Sequence, residues 1–356
     1  MTVRTASRVA GAVQRRVAYL TMSILVFADD RVANHRPPEG HPERPDRYIA
    51  AVEGLTAAGF DDAVQWREPT LAPQEALVGV HDRSHIDGVF SRGDEDHVQI
   101  DGDTHMSRGS LIAARLAAGA GLDAIDALRR GDADNAFCLV RPPGHHATPT
   151  QAMGFCLFNN IAVAAQTITE AGERVAIVDF DAHHGNGTQD AFFDHDDVLF
   201  VSTHEYPQYP GTGALTERGV GAGAGYTVNL PMPSGATGDV YLRSFDEIVG
   251  PALSRFAPDW ILISAGFDAH RADPLTNLGL TSGDYAALTA RLMNHAPAGR
   301  RIAFLEGGYD LNALGLSTAA CVGAMLGESY APEAQTNGGP GAAMIDAAVA
   351  MLDREN

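Results

Sequence analysis

The chain has 356 residues, with 45 acidic against 25 basic side chains and a net charge of −20. Every basic residue is arginine, and a chain without lysine can form neither a phosphate-binding P-loop nor a Schiff base through a lysine amine. The acidic balance argues against direct binding of nucleic acid, which needs clustered cations, and suits cationic or neutral substrates. With 45% hydrophobic residues, the chain is long enough to bury a large core.

The cysteines and the N-terminal segment indicate a compartment. Cys138, Cys156 and Cys321 are odd in number and far apart, so we expect no disulfide framework and a reducing, cytoplasmic location. No apolar run approaches the ~20 residues of a membrane span, so no membrane association is expected.

Residues 1–21 carry arginines but no acidic residue and no continuous apolar segment. We expect them to be an extension, either upstream of the natural start or an organellar transit peptide, ahead of one domain over residues 22–356.

Short apolar runs alternate along the chain with longer alanine-rich stretches of helical periodicity. The runs predict strands at 23–28, 77–80, 136–140, 174–180, 198–203, 226–230, 260–266 and 301–306. The stretches predict helices at 45–58, 109–130, 157–171, 238–256, 281–296 and 311–326, and a connection at 332–341 leads to a last helix at 342–353. Apolar strands separated by helices are typical of a parallel sheet that is covered on both faces. The sequence therefore predicts a single α/β domain.

Polar side chains at the ends of two predicted strands suggest a metal site. Asp179 lies near the end of strand 174–180, Asp181 and His183 follow the strand, and alternation directs the three side chains to one face. Burying three such groups is costly unless a cation or partners satisfy them. Asp268, after strand 260–266, could complete the set. Two carboxylates and one imidazole leave positions open for catalysis by Zn²⁺, and Fe²⁺ or Mn²⁺ also accepts such ligands. The alternative is a helix cap at Asp181 with histidines packed nearby.

Two further strands end in residues suited to proton transfer. His145 and His146 lie in a rigid Pro-Pro-Gly loop after strand 136–140, and a neutral and a protonated imidazole can divide acid and base duties. Tyr309 follows a Gly-Gly pair after strand 301–306, where a phenol can donate to a developing oxyanion. Ligands bind outside the carboxyl ends of the strands in an open parallel sheet, so we expect all four groups to meet there.

Together these segments resemble the histone deacetylase superfamily from about residue 24 to about residue 328. The resemblance includes three further motifs, Gly40-His41-Pro42-Glu43-Arg44-Pro45-Asp46-Arg47, Gly154-Phe155-Cys156-Leu157-Phe158-Asn159-Asn160 and Tyr209-Pro210-Gly211-Thr212-Gly213, as well as Asp273-Pro274-Leu275. It implies the arginase/deacetylase-like fold, with a central, mostly parallel eight-stranded sheet flanked by helices. It also implies a Zn²⁺-dependent amidohydrolase that removes an acetyl or similar group from an amine.

The resemblance assigns roles residue by residue. The zinc ligands are Asp181, His183 and Asp268, and the catalytic residues are His145, His146, Asp179 and Tyr309. Asp179 orients His145, while Asn186 stands where many members have an aspartate beside His146. A neutral partner stabilises an imidazolium less, so we expect His146 to act as a base with less electrostatic support. The acyl channel is lined by Gly154, Phe155, Tyr209 and Leu275, and Asp96 matches a carboxylate at its rim that grips the substrate.

The resemblance also implies structural K⁺ or Na⁺ ions. One such site would use Asp179, Asp181, His183, Ser202 and Thr203, mostly through backbone oxygens. A second would use carbonyl groups near Phe192, His195, Val198 and Tyr226.

The expected substrate is an acetylated peptide, protein or small amine. The sequence does not decide whether the chain forms an oligomer. An acetylpolyamine amidohydrolase would restrict the channel mouth, whereas the segment Ser91–Asp103 is of ordinary length, which favours a broad deacetylase. A binuclear ureohydrolase would need a further acid near His183, and His184-Gly185-Asn186 supplies none. A non-catalytic acyl-amine binding protein is the remaining alternative, although no member of the catalytic set is missing.

Overall fold

A computed structural model describes residues 22–60 and 63–352, so the expected extension at 1–21 lies outside the described residues. The strands are β1 (Ile24–Phe27), β2 (Val64–Arg67), β3 (His97–Gln99), β4 (His105–Ser107), β5 (Asn135–Cys138), β6 (Val175–Asp179), β7 (Val198–Glu205), β8 (Thr227–Met232), β9 (Trp260–Ala265) and β10 (Arg301–Leu305). The α-helices are α1 (Asp46–Ala57), α2 (Gln74–Leu77), α3 (Arg83–Ser91), α4 (Ser110–Arg129), α5 (Asn160–Thr169), α6 (Asn186–Phe192), α7 (Gly238–Ser244), α8 (Gly250–Phe256), α9 (Ser282–Leu292), α10 (Leu311–Met325) and α11 (Ala342–Leu352).

Eight strands form one sheet in the order β2-β1-β5-β10-β9-β6-β7-β8, and every adjacent pair is parallel. Six of them are buried along their whole length or nearly so, which explains their apolar sequences. The prediction of an α/β domain on an eight-stranded parallel sheet is confirmed. No described helix is long and apolar enough to cross a membrane, and the three cysteines are buried as free thiols.

One predicted strand was wrong. Residues 77–80 end helix α2 and continue as a turn, and the eighth strand of the sheet is β2. Strand β2 lies at the edge of the sheet, where Gln65 and Trp66 are exposed, so it lacks the continuous apolar run of the inner strands. The run at 77–80 instead follows Pro73, which precedes the first helical residue of α2, a position that proline tolerates well. The short antiparallel pair β3–β4 was also not predicted.

The core has one layer on each face of the sheet. Along β1, Ile24 and Val26 pack in one layer, and Leu25 and Phe27 pack in the other, as the alternation of a strand requires. Helices α1, α9 and α10 cover the first layer, and α4 and α5 cover the second. The predicted helix 238–256 is continuous from α7 to α8, with a π-helical turn between them.

The four central strands are β5, β10, β9 and β6, in that order. They lie next to one another although they are far apart in the chain. The loops that follow them carry the histidine pair, Tyr309, Asp268 and the Asp181–His183 segment. The topology therefore brings all four predicted groups to one stretch of the carboxyl edge.

Candidate active site

Asp181, His183 and Asp268 meet at the carboxyl ends of β6 and β9. Their ligand atoms lie within 4.8 Å of one another, and all three residues are buried. The His183 Nδ1 atom is 3.0 Å from Asp268 Oδ2 and 3.2 Å from Asp181 Oδ1. Burial lowers the pKa of His183, but the two carboxylates outweigh that effect and hold the pKa well above its usual value. The cluster therefore attracts positive charge, and its donors suit Zn²⁺.

Backbone atoms pack closely against the Asp181 and Asp268 carboxylates. A Cβ atom at Gly266 would lie 1.9 Å from Asp181 Oδ2, and one at Gly307 would lie 2.2 Å from Asp268 Oδ2. The Gly307 N–H donates to Asp181 Oδ2 at 2.8 Å, and the Ala182 N–H donates to Asp268 Oδ1 at 2.7 Å. Any side chain at these glycines would displace a carboxylate, so the glycines are part of the site.

His145 is held by a carboxylate, as the resemblance implies. Its Nδ1 atom lies 2.9 Å from Asp179 Oδ2, and both residues are buried. Its Nε2 atom faces Asp181 Oδ2 at 3.8 Å. Burial lowers the pKa of His145, but the charges of Asp181 and Asp179 and the hydrogen bond to Asp179 outweigh it and raise the pKa. These contacts favour the protonated form of the His145 imidazole.

His146 has the opposite environment. Its Nδ1 atom lies 2.8 Å from the Asn186 amide oxygen, and its ring centre lies 4.0 Å from that of His145. Burial, followed by the neighbouring charges of His145 and His183, holds the pKa of His146 well below its usual value. A buried neutral imidazole next to a protonated one is suited to accept a proton. The expectation that Asn186 gives little electrostatic support to His146 fits this geometry.

Tyr309 closes the site on the side of β10. The carboxylate of Asp273 accepts the Tyr309 backbone N–H at 2.7 Å. The Arg47 guanidinium lies over the Tyr309 ring, 4.9 Å from its centre, and the Phe155 ring lies 5.8 Å away. Burial holds the pKa of the Tyr309 phenol well above its usual value, so the hydroxyl stays protonated and can donate a hydrogen bond.

A pocket of about 210 Å³ leads to these groups. It is lined by Asp103, His146, Gly154, Phe155, His183, Gln208, Tyr209, Leu275 and Tyr309. Phe155 forms one wall in a left-handed backbone conformation, with a φ angle of 68°, and its N–H donates to the Thr104 hydroxyl at 3.1 Å. Such strained backbone is typical of functional sites. The pocket thus brings together the four residues assigned to the channel, Gly154, Phe155, Tyr209 and Leu275.

Asp96 does not line this pocket, and its placement at the rim was wrong. Its side chain is 83% exposed and pairs with Arg108 at 2.8 Å on the outer surface. Asp103 stands at the mouth instead, because the pair β3–β4 turns back between these two aspartates. The sequence offers several acids in this segment, and only the unpredicted pairing of β3 with β4 distinguishes them.

Gln208 is a pocket residue that the sequence did not reveal. Its amide oxygen accepts the Tyr209 N–H at 2.9 Å, and its Nε2 atom lies 3.4 Å from the Leu275 carbonyl oxygen. It therefore spans the mouth between the two loops that carry Tyr209 and Leu275. Its position next to Tyr209 is the only sequence signal for this role.

The residues assigned to monovalent cations lie in β7 and in the segments next to it. Ser202 pairs in register with Asp179, and the Thr203 hydroxyl donates to the Asp179 carbonyl at 3.3 Å. In the second set, the Phe192 carbonyl accepts the His195 N–H at 3.1 Å, and the Tyr226 carbonyl accepts the Phe200 N–H at 2.9 Å. Val198 is the first residue of β7. Binding of K⁺ or Na⁺ at either place stays a prediction.

Comparison with known proteins identifies the family of the chain. The family model of the histone deacetylase domain matches residues 41–325. A probable deacetylase of Archaeoglobus fulgidus is 39% identical over 325 residues, which cover 87% of this chain and 90% of that protein. A histone deacetylase-like amidohydrolase of Pseudomonas aeruginosa is 39% identical over 283 residues, covering 77% and 74% of the two chains. The crystal structure of the HDA15 HD domain aligns with a TM-score of 0.86 and 38% identity over 93% of this chain and 94% of that one. The chain therefore belongs to the histone deacetylase family.

Proposed function

We propose that the chain is a Zn²⁺-dependent deacetylase that hydrolyses N-acetyl-lysine in peptides or proteins to acetate and a free amine. The observation that carries this proposal is the meeting of the Asp181–His183–Asp268 cluster with the histidine pair and Tyr309 at the bottom of one narrow pocket. These are the parts that metal-assisted amide hydrolysis needs: a cation site, a base and an oxyanion donor.

Asp181, His183 and Asp268 would hold the metal, whose chemistry is to polarise the acyl carbonyl group and lower the pKa of water. Fe²⁺ also suits this donor set. Among residues 22–60 and 63–352, this is the one group of three or more histidine, cysteine, aspartate or glutamate ligands close enough to hold an ion. The donor count supports one divalent ion per chain rather than the two of a ureohydrolase.

The histidine pair would move the protons. His146, which is neutral, accepts the proton of the water that attacks the acyl carbon, and the Asn186 amide fixes the orientation of its ring. The C–N bond then breaks, and one of the paired histidines protonates the leaving amine nitrogen. His145, held by Asp179, lies beside His146. Water is consumed, and acetate and a free amine are released.

Tyr309 would stabilise the oxyanion that forms when water attacks. Its hydroxyl stays protonated because it is buried, and it faces the same pocket as His146 and His183. A donor fixed in place before the reaction costs no reorganisation when the charge develops.

The walls of the pocket favour a slender, neutral acyl-amine chain. Phe155, Tyr209 and Leu275 are uncharged, and among the lining residues Asp103 is the single carboxylate. A second amine, as in an acetylpolyamine, would meet little opposite charge inside such a pocket. The relatives that are named histone deacetylases support acetyl-lysine as the substrate.

The proposal is tested by the turnover of an acetyl-lysine peptide and of N-acetylputrescine, measured side by side with zinc-loaded protein. We expect a higher kcat/KM for the peptide. A clear preference for N-acetylputrescine would replace the substrate with an acetylated polyamine and leave the chemistry intact. Turnover of neither substrate by protein that contains one zinc ion per chain would contradict the proposed activity and favour a binding role.

Replacing Asp103 with asparagine should weaken substrate binding without slowing the chemical step. Asp103 lies at the mouth of the pocket, where its carboxylate can accept hydrogen bonds from a substrate backbone, and it is not among the groups that surround the reacting atoms. We expect KM for the acetyl-lysine peptide to rise by about tenfold, with kcat changed by less than about twofold. Steady-state kinetics measure both.

Asp96→Asn is the matched control for Asp103→Asn. Asp96 is an aspartate of the same segment, but it points to solvent and pairs with Arg108. We expect its kinetics to equal those of the unmodified protein. Equal effects of the two substitutions on KM would contradict the assignment of the rim to Asp103.

A further inference from the structure

Glu306 is a buried carboxylate beneath the loop that carries the histidine pair. It follows β10 and has no exposed surface. Its Oε2 atom accepts the backbone N–H of Gly144 at 2.6 Å and that of His145 at 3.2 Å. Its Oε1 atom is buried and has no hydrogen-bond partner. Burying a carboxylate is costly, so its retention in the core calls for a role.

The histidine loop has few backbone N–H groups through which it can be held. It reads Arg141-Pro142-Pro143-Gly144-His145, and proline has no backbone N–H. The first two N–H groups after the prolines therefore belong to Gly144 and His145, and both donate to the same oxygen of Glu306. The loop also lies tightly against α5. A Cβ atom at Gly144 would lie only 2.5 Å from the Asn160 backbone nitrogen.

Glu306 begins the turn that builds the other half of the site. The next residue, Gly307, donates its N–H to Asp181, and Tyr309 follows two residues later. The Arg47 guanidinium ties this turn down by donating to the carbonyl oxygens of Glu306 and Gly308. One short turn thus contacts a proposed metal ligand, carries the proposed oxyanion donor and accepts two hydrogen bonds from the histidine loop.

We propose that Glu306 is a positioning residue that fixes the His145–His146 pair relative to Tyr309. It acts as a hydrogen-bond acceptor for the loop backbone and does not itself contact the substrate. The proposal rests on the proposed deacetylase function. The loss of rate expected when Glu306 is replaced follows from geometry, since a displacement of about 1 Å at a catalytic group can cost about 10²-fold in rate.

Two substitutions separate the position of the acceptor from its charge. Glu306→Gln keeps an oxygen at the same distance from the backbone but removes the negative charge. Glu306→Asp keeps the charge but is one methylene shorter, so it withdraws the oxygen from both N–H groups. We expect Glu306→Asp to lower kcat by about 10²-fold with little change in KM or zinc content, and Glu306→Gln to lower kcat by less than about fivefold.

Amide hydrogen exchange supplies a readout that does not depend on activity. In Glu306→Asp, the peptide that covers residues 141–148 should exchange faster than in the unmodified protein, both with and without metal, because two of its N–H groups lose their acceptor. In Glu306→Gln the exchange should be unchanged. Asp284→Asn is the control for loss of a buried charge elsewhere: Asp284 accepts the N–H groups of Thr281 and Thr336, and this variant should lower Tm without changing kcat.

The outcomes are distinct. A Glu306→Gln variant as slow as Glu306→Asp, or slower, would show that the charge matters and would overturn the proposal. Unchanged kcat and unchanged exchange in Glu306→Asp would overturn it as well. Failure of the proposed function itself would appear separately, as a lack of amidase turnover in the unmodified protein.

Discussion

Replacing Tyr309 with phenylalanine is expected to lower kcat by about 10²–10³-fold while the metal content stays the same. The substitution removes the hydroxyl that is proposed to donate to the developing oxyanion, and loss of one such donor typically costs this much. Because the phenol is protonated through burial, the donor is present at every ordinary assay pH, and the loss should not depend on pH. Since the donor acts mainly in the transition state, KM should change little.

Steady-state kinetics and a metal assay on the same preparation measure both quantities. Tyr241→Phe is the matched control, because Tyr241 is fully buried, its hydroxyl has no hydrogen-bond partner, and it lies outside the pocket. We expect that control to keep its activity. A Tyr309→Phe enzyme that turns over at the normal rate would remove Tyr309 from the proposed mechanism.

Replacing Asp181 with alanine is expected to abolish both metal binding and activity. Asp181 supplies one of two carboxylates in a three-residue donor set, and two remaining donors cannot hold a divalent ion firmly. Activity should fall to the background of the assay. Metal content per chain after dialysis, measured by elemental analysis, is expected to fall from about one to near zero.

Loss of the fold is separated from loss of the ligand by a second variant. Asp181 Oδ2 also accepts the Gly307 N–H, and Oδ1 accepts the His183 N–H, so the alanine variant leaves two buried donors without a partner. Asp181→Asn keeps the shape and one of the two acceptor oxygens but removes the negative charge. We expect it to fold normally and still to bind metal much more weakly. Full metal content with full activity in Asp181→Asn would contradict the assignment of Asp181 as a ligand.

Much of this site could be predicted from sequence because the inner strands are buried on both faces. Their continuous apolar runs locate β6 and β9 accurately, and Asp181 and Asp268 are then placed by counting from the strand ends. The strand order could not be derived in this way. Which strands are neighbours depends on contacts between segments far apart in the chain, and it is that order which brings the four groups together.

The errors occurred where the protein is partly exposed. Strand β2 has two exposed residues, so its sequence resembles a loop more than an inner strand. The assignment of Asp96 to the rim failed because Asp96 and Asp103 both lie in a polar segment without a periodic signal. The role of Glu306 was also invisible, since its partners are backbone N–H groups of a loop that is remote in sequence.

The position of β10 in the sheet has a consequence for how the protein folds. Strand β10 is the last strand in the chain, yet it lies in the middle of the sheet and joins β2-β1-β5 to β9-β6-β7-β8. A nascent chain that ends before β10 has two separate half-sheets with unpaired inner edges. Pairing over such long sequence separations is slow, and open edges are prone to aggregation. The ribosome must therefore deliver almost the entire domain before the two halves can close, and the loop that carries Tyr309 follows β10 directly.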